Sequence, residues 1–126
     1  MILDSLRRFA ARGIDARRID EEEALPKETL AGMAELGLFG LTIPEEHGGF
    51  ALSMTSYGRV MSELAAHCGA SAATLGAHLG IGCKGSVMFG TEDQKRRYLP
   101  GCASGETIAA FCLTEPTSGS DAASIS

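Results

Sequence analysis

Between residues 53 and 68 the side chains Tyr57, Val60, Met61, Leu64 and Cys68 recur at i, i+3, i+4, i+7 and i+11. That spacing gathers them on one face of an α-helix, and such a face is stable only when another element covers it. The constraint repeats along the chain. Residues 1–19 read as a charged, interrupted helical stretch with Leu3, Leu6 and Ala10 on one side. Pro26 suits the first position of the next helix, whose Leu30, Met33, Ala34 and Gly37 form an apolar stripe. Residues 71–89 are apolar nearly all round, which predicts a buried helix. Thr91, with Gln94 three residues on, predicts a capping box opening a further helix that Pro100 should stop. The basic trio Lys95, Arg96 and Arg97 on that helix reads as a solvated face. A chain written this way is mostly helical.

At Thr107 the helical period ends. Residues 107–113 are a continuous apolar run, short enough to predict a buried strand, and the remainder to residue 126 is small, polar and rich in Gly and Ser. The expected division is a helical domain over 1–104 and a separate unit beginning at 105–126. Two acidic and basic totals, 16 against 11, give a net charge of −5, which argues against non-specific attraction to nucleic acid or anionic membranes. Cys68, Cys83, Cys102 and Cys112 contain no CxxC spacing and read as free thiols of a reducing compartment, and His47, His67 and His78 share no metal-ligand spacing. The first apolar stretch is broken by Asp4, Arg7 and Arg8, so no signal peptide is expected, and no run suits a bilayer span. The expectation is a cytoplasmic protein, or a mitochondrial one whose presequence is missing.

The run from Phe111 to Asp121, FCLTEPTSGSD, carries the chemistry. Pro116 biases Glu115 away from helix, and Gly119 allows the backbone close to a ligand. Thr114, Thr117, Ser118 and Ser120 offer small neutral hydrogen-bonding groups, which suit the polar edge of a flat heteroaromatic ring without burying a charge. A plain polar turn would have the same composition.

This run closely resembles the signature of the acyl-CoA dehydrogenases, a Thr-Glu-Pro followed by a small-Gly-Ser-Asp. The segments LAGMAELGLFGLTIPEEHGG and FGTEDQKRRYLPGCASGE are similar to the same family in order and spacing. TLGAHLGIGCKGSVMFGTEDQK and AAFCLTEP resemble its very-long-chain branch most. The resemblance implies a mainly α fold, the N-terminal helical bundle domain of that family, followed by the first strand of its central β-domain. It implies FAD as cofactor, an acyl-CoA substrate, an electron-transfer flavoprotein or similar acceptor, and a homo-oligomeric full-length protein. The reaction it implies is α,β-dehydrogenation of acyl-CoA thioesters in fatty-acid β-oxidation.

Residue by residue, the resemblance makes Phe111, Cys112, Leu113, Thr114, Glu115, Pro116, Thr117, Ser118, Gly119 and Ser120 cofactor-binding. The backbone at Leu113 and the Thr114 hydroxyl would meet the ring's polar rim, and Ser120 would also approach the thioester arm of the substrate. Glu115 and Asp121 read as structural carboxylates. The family's catalytic base belongs to a C-terminal domain, so no residue here is expected to be catalytic, and the chain by itself is expected to be inactive. A helical binding module of the same fold, without turnover, is the alternative. Gly76, Gly80, Gly82 and Gly85 each cost a helix about 0.8–1 kcal/mol relative to alanine. Close packing would offset that cost. So would room for an acyl tail at Gly82 and Gly85, which adds both to the candidate substrate contacts.

Overall fold

The computed structural model describes residues 2–125; Met1 and Ser126, the ends of the expected first helical stretch and of the polar tail, lie outside the described residues. Helices α1 (Ile2–Gly13) and α2 (Ala16–Glu22) share the stretch expected as one interrupted helix. The division falls where the Asp15 carboxylate accepts the Arg18 N–H at 3.0 Å and caps α2. In α3 (Lys27–Glu35), Pro26 stands one place earlier than expected, at the N-cap, where its carbonyl accepts from Thr29 and Leu30. The buried Thr29 hydroxyl donates to the Gly13 carbonyl at 3.0 Å, which satisfies the end of α1.

In α4 (Met54–His67) the periodic face behaves as its spacing requires. Val60, Leu64 and the adjoining Cys68 are buried, and Tyr57 and Met61 pack half-buried against the same core. Arg7 of α1 holds Glu63 of α4 through two N–H···O bonds of 3.0 and 2.8 Å. Helix α5 (Gly69–Gly76) follows directly, its start capped by the Cys68 thiol. It runs without a break into a π-helical segment, Ala77–Cys83, and then α6 (Lys84–Phe89). Ala72, Leu75, Leu79 and Cys83 line its inner side. The expectation of burial all round is corrected here: Ile81, Met88 and Phe89 are 57, 58 and 82% exposed. Apolar composition on every side does not supply a neighbour on every side, and only one face meets the core.

Helix α7 (Glu92–Ser104) opens with the expected capping box, Gln94 N–H to Thr91 Oγ1 at 3.3 Å and Thr91 N–H to Gln94 Oε1 at 2.8 Å. Pro100 does not stop it. The helix runs on for four residues past the proline, and the stop is Gly105, at φ 80°. Of the basic trio, Lys95 pairs with Glu92 at 3.0 Å, Arg96 pairs with Asp93, and the Arg97 guanidinium lies 5.2 Å above the Tyr98 ring.

The core joins Leu6, Met33, Leu64, Leu75, Leu79 and Leu99 around Phe39, which a 3₁₀ turn at Leu38–Gly40 carries to the centre. Burying each such side chain contributes roughly 1.5–3 kcal/mol. Among the described residues no helix is long and apolar enough to cross a membrane. Cys68, Cys83 and Cys102 are buried free thiols, and Cys112 is an exposed one.

The strand expected over 107–113 is absent among the described residues; the chain there is irregular. A strand exists only through a ladder partner, and among the described residues no second strand lies alongside. The apolar run is correspondingly uncovered: Ile108, Phe111 and Leu113 are 41, 55 and 38% exposed.

Candidate functional site

The segment that follows Gly105 is docked onto the helices at alternate residues. The Thr107 N–H donates to the Gly101 carbonyl of α7 at 3.0 Å. Two residues on, the Ala109 N–H donates to Nδ1 of His78 in the π-helical segment, also at 3.0 Å. The Ala109 methyl rests on Gly82, where an added Cβ would lie 2.7 Å from it and 3.2 Å from the Ala109 backbone. Gly82 is therefore filled by Ala109 and offers no room to an acyl tail as its helix stands. Gly85 has open space on its side, with no atom within 4 Å, as does Gly80.

Past Ala109, among the described residues, the hydrogen bonds to the helices stop. Among the described residues, the backbone amides from Phe111 to Thr114 have no hydrogen-bond partner in the chain. The side chains of Phe111, Cys112, Leu113 and Thr114 are all exposed. The turn beyond is held by itself. Glu115 and Ser118 exchange backbone bonds of 2.8 and 3.3 Å, and the Thr117 hydroxyl donates to the Glu115 carboxylate at 3.1 Å. Ser118 Oγ donates to the Asp121 carbonyl, and the Ser124 hydroxyl donates to the Asp121 carboxylate at 2.5 Å. Gly119 passes close under Thr114, where a Cβ would meet Cγ2 at 3.2 Å and Oγ1 at 3.3 Å. Pro116, Thr117 and Ser120 are exposed on the outside of the turn.

The Glu115 and Asp121 carboxylates each accept from a nearby hydroxyl, those of Thr117 and Ser124. What the arrangement leaves unpaired is a row of main-chain donors and acceptors, with the Thr114 hydroxyl and the exposed side chains of Phe111, Cys112 and Leu113 beside it. That donor set fits a neutral, planar ring recognised by its polar edge, as the isoalloxazine of FAD is.

Two features escaped the sequence reading. One is His78, fully buried, whose ring reaches three separate elements. Its only signal was a lone imidazole in a glycine-rich apolar helix. The other is an apolar recess of about 170 Å³ between α4 and the π-helical segment, lined by Thr42, Met54, Tyr57, Leu79, Gly80 and Lys84. It reaches Lys84, next to Gly85, and Gly80 rather than Gly82 borders it.

Residues 1–106 match the family model described as the acyl-CoA dehydrogenase N-terminal domain. Over 124 residues, 98% of the chain, the sequence is 50% identical to the very long-chain specific acyl-CoA dehydrogenase, mitochondrial, of Macaca fascicularis. A probable acyl-CoA dehydrogenase of Bacillus subtilis is 52% identical over 88 residues, 70% of the chain. The chain spans 19 and 15% of the lengths of those two proteins. Among solved structures, the acyl-CoA dehydrogenase complexed with FAD from Bacillus anthracis matches at a TM-score of 0.84 and 38% identity, over 99% of this chain and 22% of that one. The acyl-CoA dehydrogenase from Geobacillus kaustophilus matches at 0.86 and 30%, over 100% of this chain and 33% of that one. With the helical order, the capped helices and the Thr-Glu-Pro turn in place, the chain belongs to the acyl-CoA dehydrogenase family.

Proposed function

We propose that this chain forms the N-terminal part of an FAD-dependent acyl-CoA dehydrogenase acting on acyl-CoA thioesters in fatty-acid β-oxidation, with an electron-transfer flavoprotein or similar protein as acceptor. The observation that carries the reading is the uncovered main chain from Phe111 to Thr114, set on a docked segment and followed by a self-braced turn. FAD, when bound, supplies the acceptor for the hydride leaving the β-carbon. The chain's own residues bind and orient. Backbone groups around Leu113 and the Thr114 hydroxyl take the ring's polar edge, and Gly119 keeps the space beneath Thr114 free. Ser120 faces outward, toward the thioester arm. The side chains of Phe111 and Leu113 exclude water from the ring's surroundings.

In this reading the carboxylate that removes the α-proton comes from outside these 126 residues. Glu115 and Asp121, the carboxylates of the turn, are engaged by Thr117 and Ser124 and stabilise its shape. For the acyl tail, the open side of Gly85 and the recess beside Gly80 are the candidate surfaces, while Gly82 is closed by Ala109.

The test has two arms. In a complete protein carrying this sequence, Thr114→Val removes one neutral hydrogen bond, worth about 0.5–1.5 kcal/mol. The dissociation constant for FAD, followed by flavin absorbance, is expected to rise roughly threefold to tenfold, with the exposed Thr55→Val unchanged. Equal FAD binding in both variants would remove Thr114 from the site. The 126-residue chain alone is expected to give no turnover of palmitoyl-CoA with an artificial electron acceptor, because loss of a general base typically costs about 10²–10⁴-fold. Measurable turnover would place the base within the chain.

A further inference from the structure

His78 lies in the middle of the molecule, and its two ring nitrogens face different kinds of partner. Nε2 is 3.2 Å from the carbonyl of Phe39 and 3.2 Å from the carbonyl of Cys102, so it must donate. Nδ1 is 3.0 Å from the Ala109 N–H, so it must accept. One tautomer satisfies all three, the neutral imidazole with its proton on Nε2. A proton added at Nδ1 would meet the Ala109 N–H head-on.

The surroundings fix the ring. Phe39 packs edge-on against it, with centroids 5.2 Å apart and planes at 85°. Cys83 Sγ sits 3.6 Å from Nε2 and 3.9 Å from Nδ1. His78 and Cys83 are five residues apart, the spacing that the i→i+5 turns of a π-helix bring together and α-helical turns do not. Gly82, four residues from His78, clears the space in which the Ala109 methyl lies. The π-helical segment thus presents an acceptor and a gap side by side, and both are filled by the same residue of the outgoing segment.

We propose that His78 is the positioning residue of the cofactor segment: it fixes Ala109, two residues before Phe111, to the helical core and so sets where the uncovered main chain from Phe111 to Thr114 stands. The role of that main chain toward FAD rests on the reading given above. The anchoring itself does not. The ring ties together the turn at Leu38–Gly40, the end of α7 and the outgoing segment, so the helices and the flavin-facing residues share one reference point.

Two conservative variants separate the ring's functions. The Oδ1 of asparagine can stand where Nδ1 stands, keeping the acceptor for Ala109. The side-chain amide of glutamine can reach where Nε2 stands, keeping the donor for the two carbonyls. In the 126-residue chain, hydrogen exchange at the Ala109 amide is expected to speed up about tenfold or more in His78→Gln, with the amides of α4 and α5 retaining their protection; His78→Asn should keep Ala109 slower than in His78→Gln. Unchanged Ala109 exchange in His78→Gln overturns the proposal. So does an imidazole ¹⁵N spectrum of the unsubstituted chain that shows the proton on Nδ1, a measurement that needs no variant to fold. In the complete protein, His78→Gln is expected to weaken FAD retention about threefold or more, and His78→Asn to restore part of it. Faster Ala109 exchange with unaltered FAD retention overturns the positioning role. Failure of the FAD reading itself would appear separately, as an indifferent Thr114→Val.

Discussion

Two glycines of one continuous helix, three residues apart, stand in opposite situations. At Gly82 an added methyl would be 2.7 Å from the Ala109 methyl and 3.2 Å from its backbone carbon and oxygen, well inside ordinary contact. Either the outgoing segment or the helix would have to move, and overpacking of this kind costs typically about 1–3 kcal/mol. At Gly85 no atom lies within 4 Å, so alanine gains its better helix propensity of about 0.8–1 kcal/mol without a clash. Thermal unfolding of the two variants is therefore expected to split, with Gly82→Ala lowered and Gly85→Ala raised. A rise in both would mean that Ala109 is not seated on Gly82. The sequence showed the cost of these glycines but not which of them has a neighbour, because that neighbour, Ala109, is 27 residues beyond Gly82. His78 was illegible for the same reason: its partners lie 24, 31 and 39 residues away.

Helices whose signals are local were read well. The face of α4 and the capping box of α7 depend on residues three and four apart, and both formed as their spacing requires. What depends on an unseen partner was read less well. The π-helical segment differs from its flanks by one residue per turn, a difference that a run of small and apolar side chains does not encode. The apolar run at 107–113 has strand composition, but its inward bonds at Thr107 and Ala109 go to helices, and its other amides find no partner among the described residues. Exchange should follow that pattern. Amides of α4 and α5 are expected to be the slowest, Thr107 and Ala109 intermediate, and those from Phe111 to Thr114 near the rate of unstructured chain. Protection from Phe111 to Thr114 equal to that in α4 would show that the segment has paired, through self-association or a contact within the chain that the fold described here lacks.

The stability of the whole molecule should carry the mark of one buried base. Burial holds the His78 imidazole below its ordinary pKa of 6.5, and its bonds to the Phe39 and Cys102 carbonyls offset part of that. The unfolded chain therefore binds a proton near pH 6.5 that the folded chain refuses. This contribution is fully present above that pH and is lost as the pH falls toward the folded-state value. Thermal midpoints at fixed ionic strength are expected to drop as the pH falls below about 7, and His78→Gln should flatten the slope even though its midpoint is lower. The exposed carboxylates held down by basic partners, such as Glu63 beside Arg7 and Glu92 beside Lys95, act below this window and are screened by solvent. An identical slope in both proteins would assign the acid sensitivity to another group. Within the same core, burial, then the neighbouring Cys102 thiol, pushes the Cys83 thiol up to about 12, so it stays protonated beside the imidazole across the whole range.

The contacts that dock the outgoing segment are made by its main chain at Thr107 and Ala109, and by one methyl. Peptide groups are the same whatever residue carries them. The specificity of the attachment is therefore written almost entirely on the helical side, in the imidazole at position 78, the bare backbone at 82 and the carbonyl of Gly101. Residues 110–113 are left at liberty to vary with the demands of whatever they touch, without loosening the segment from its base. Substitution would loosen the attachment unevenly: strongly at positions 78 and 82 on the helical side, and little at 110–113, which take no part in holding the segment down.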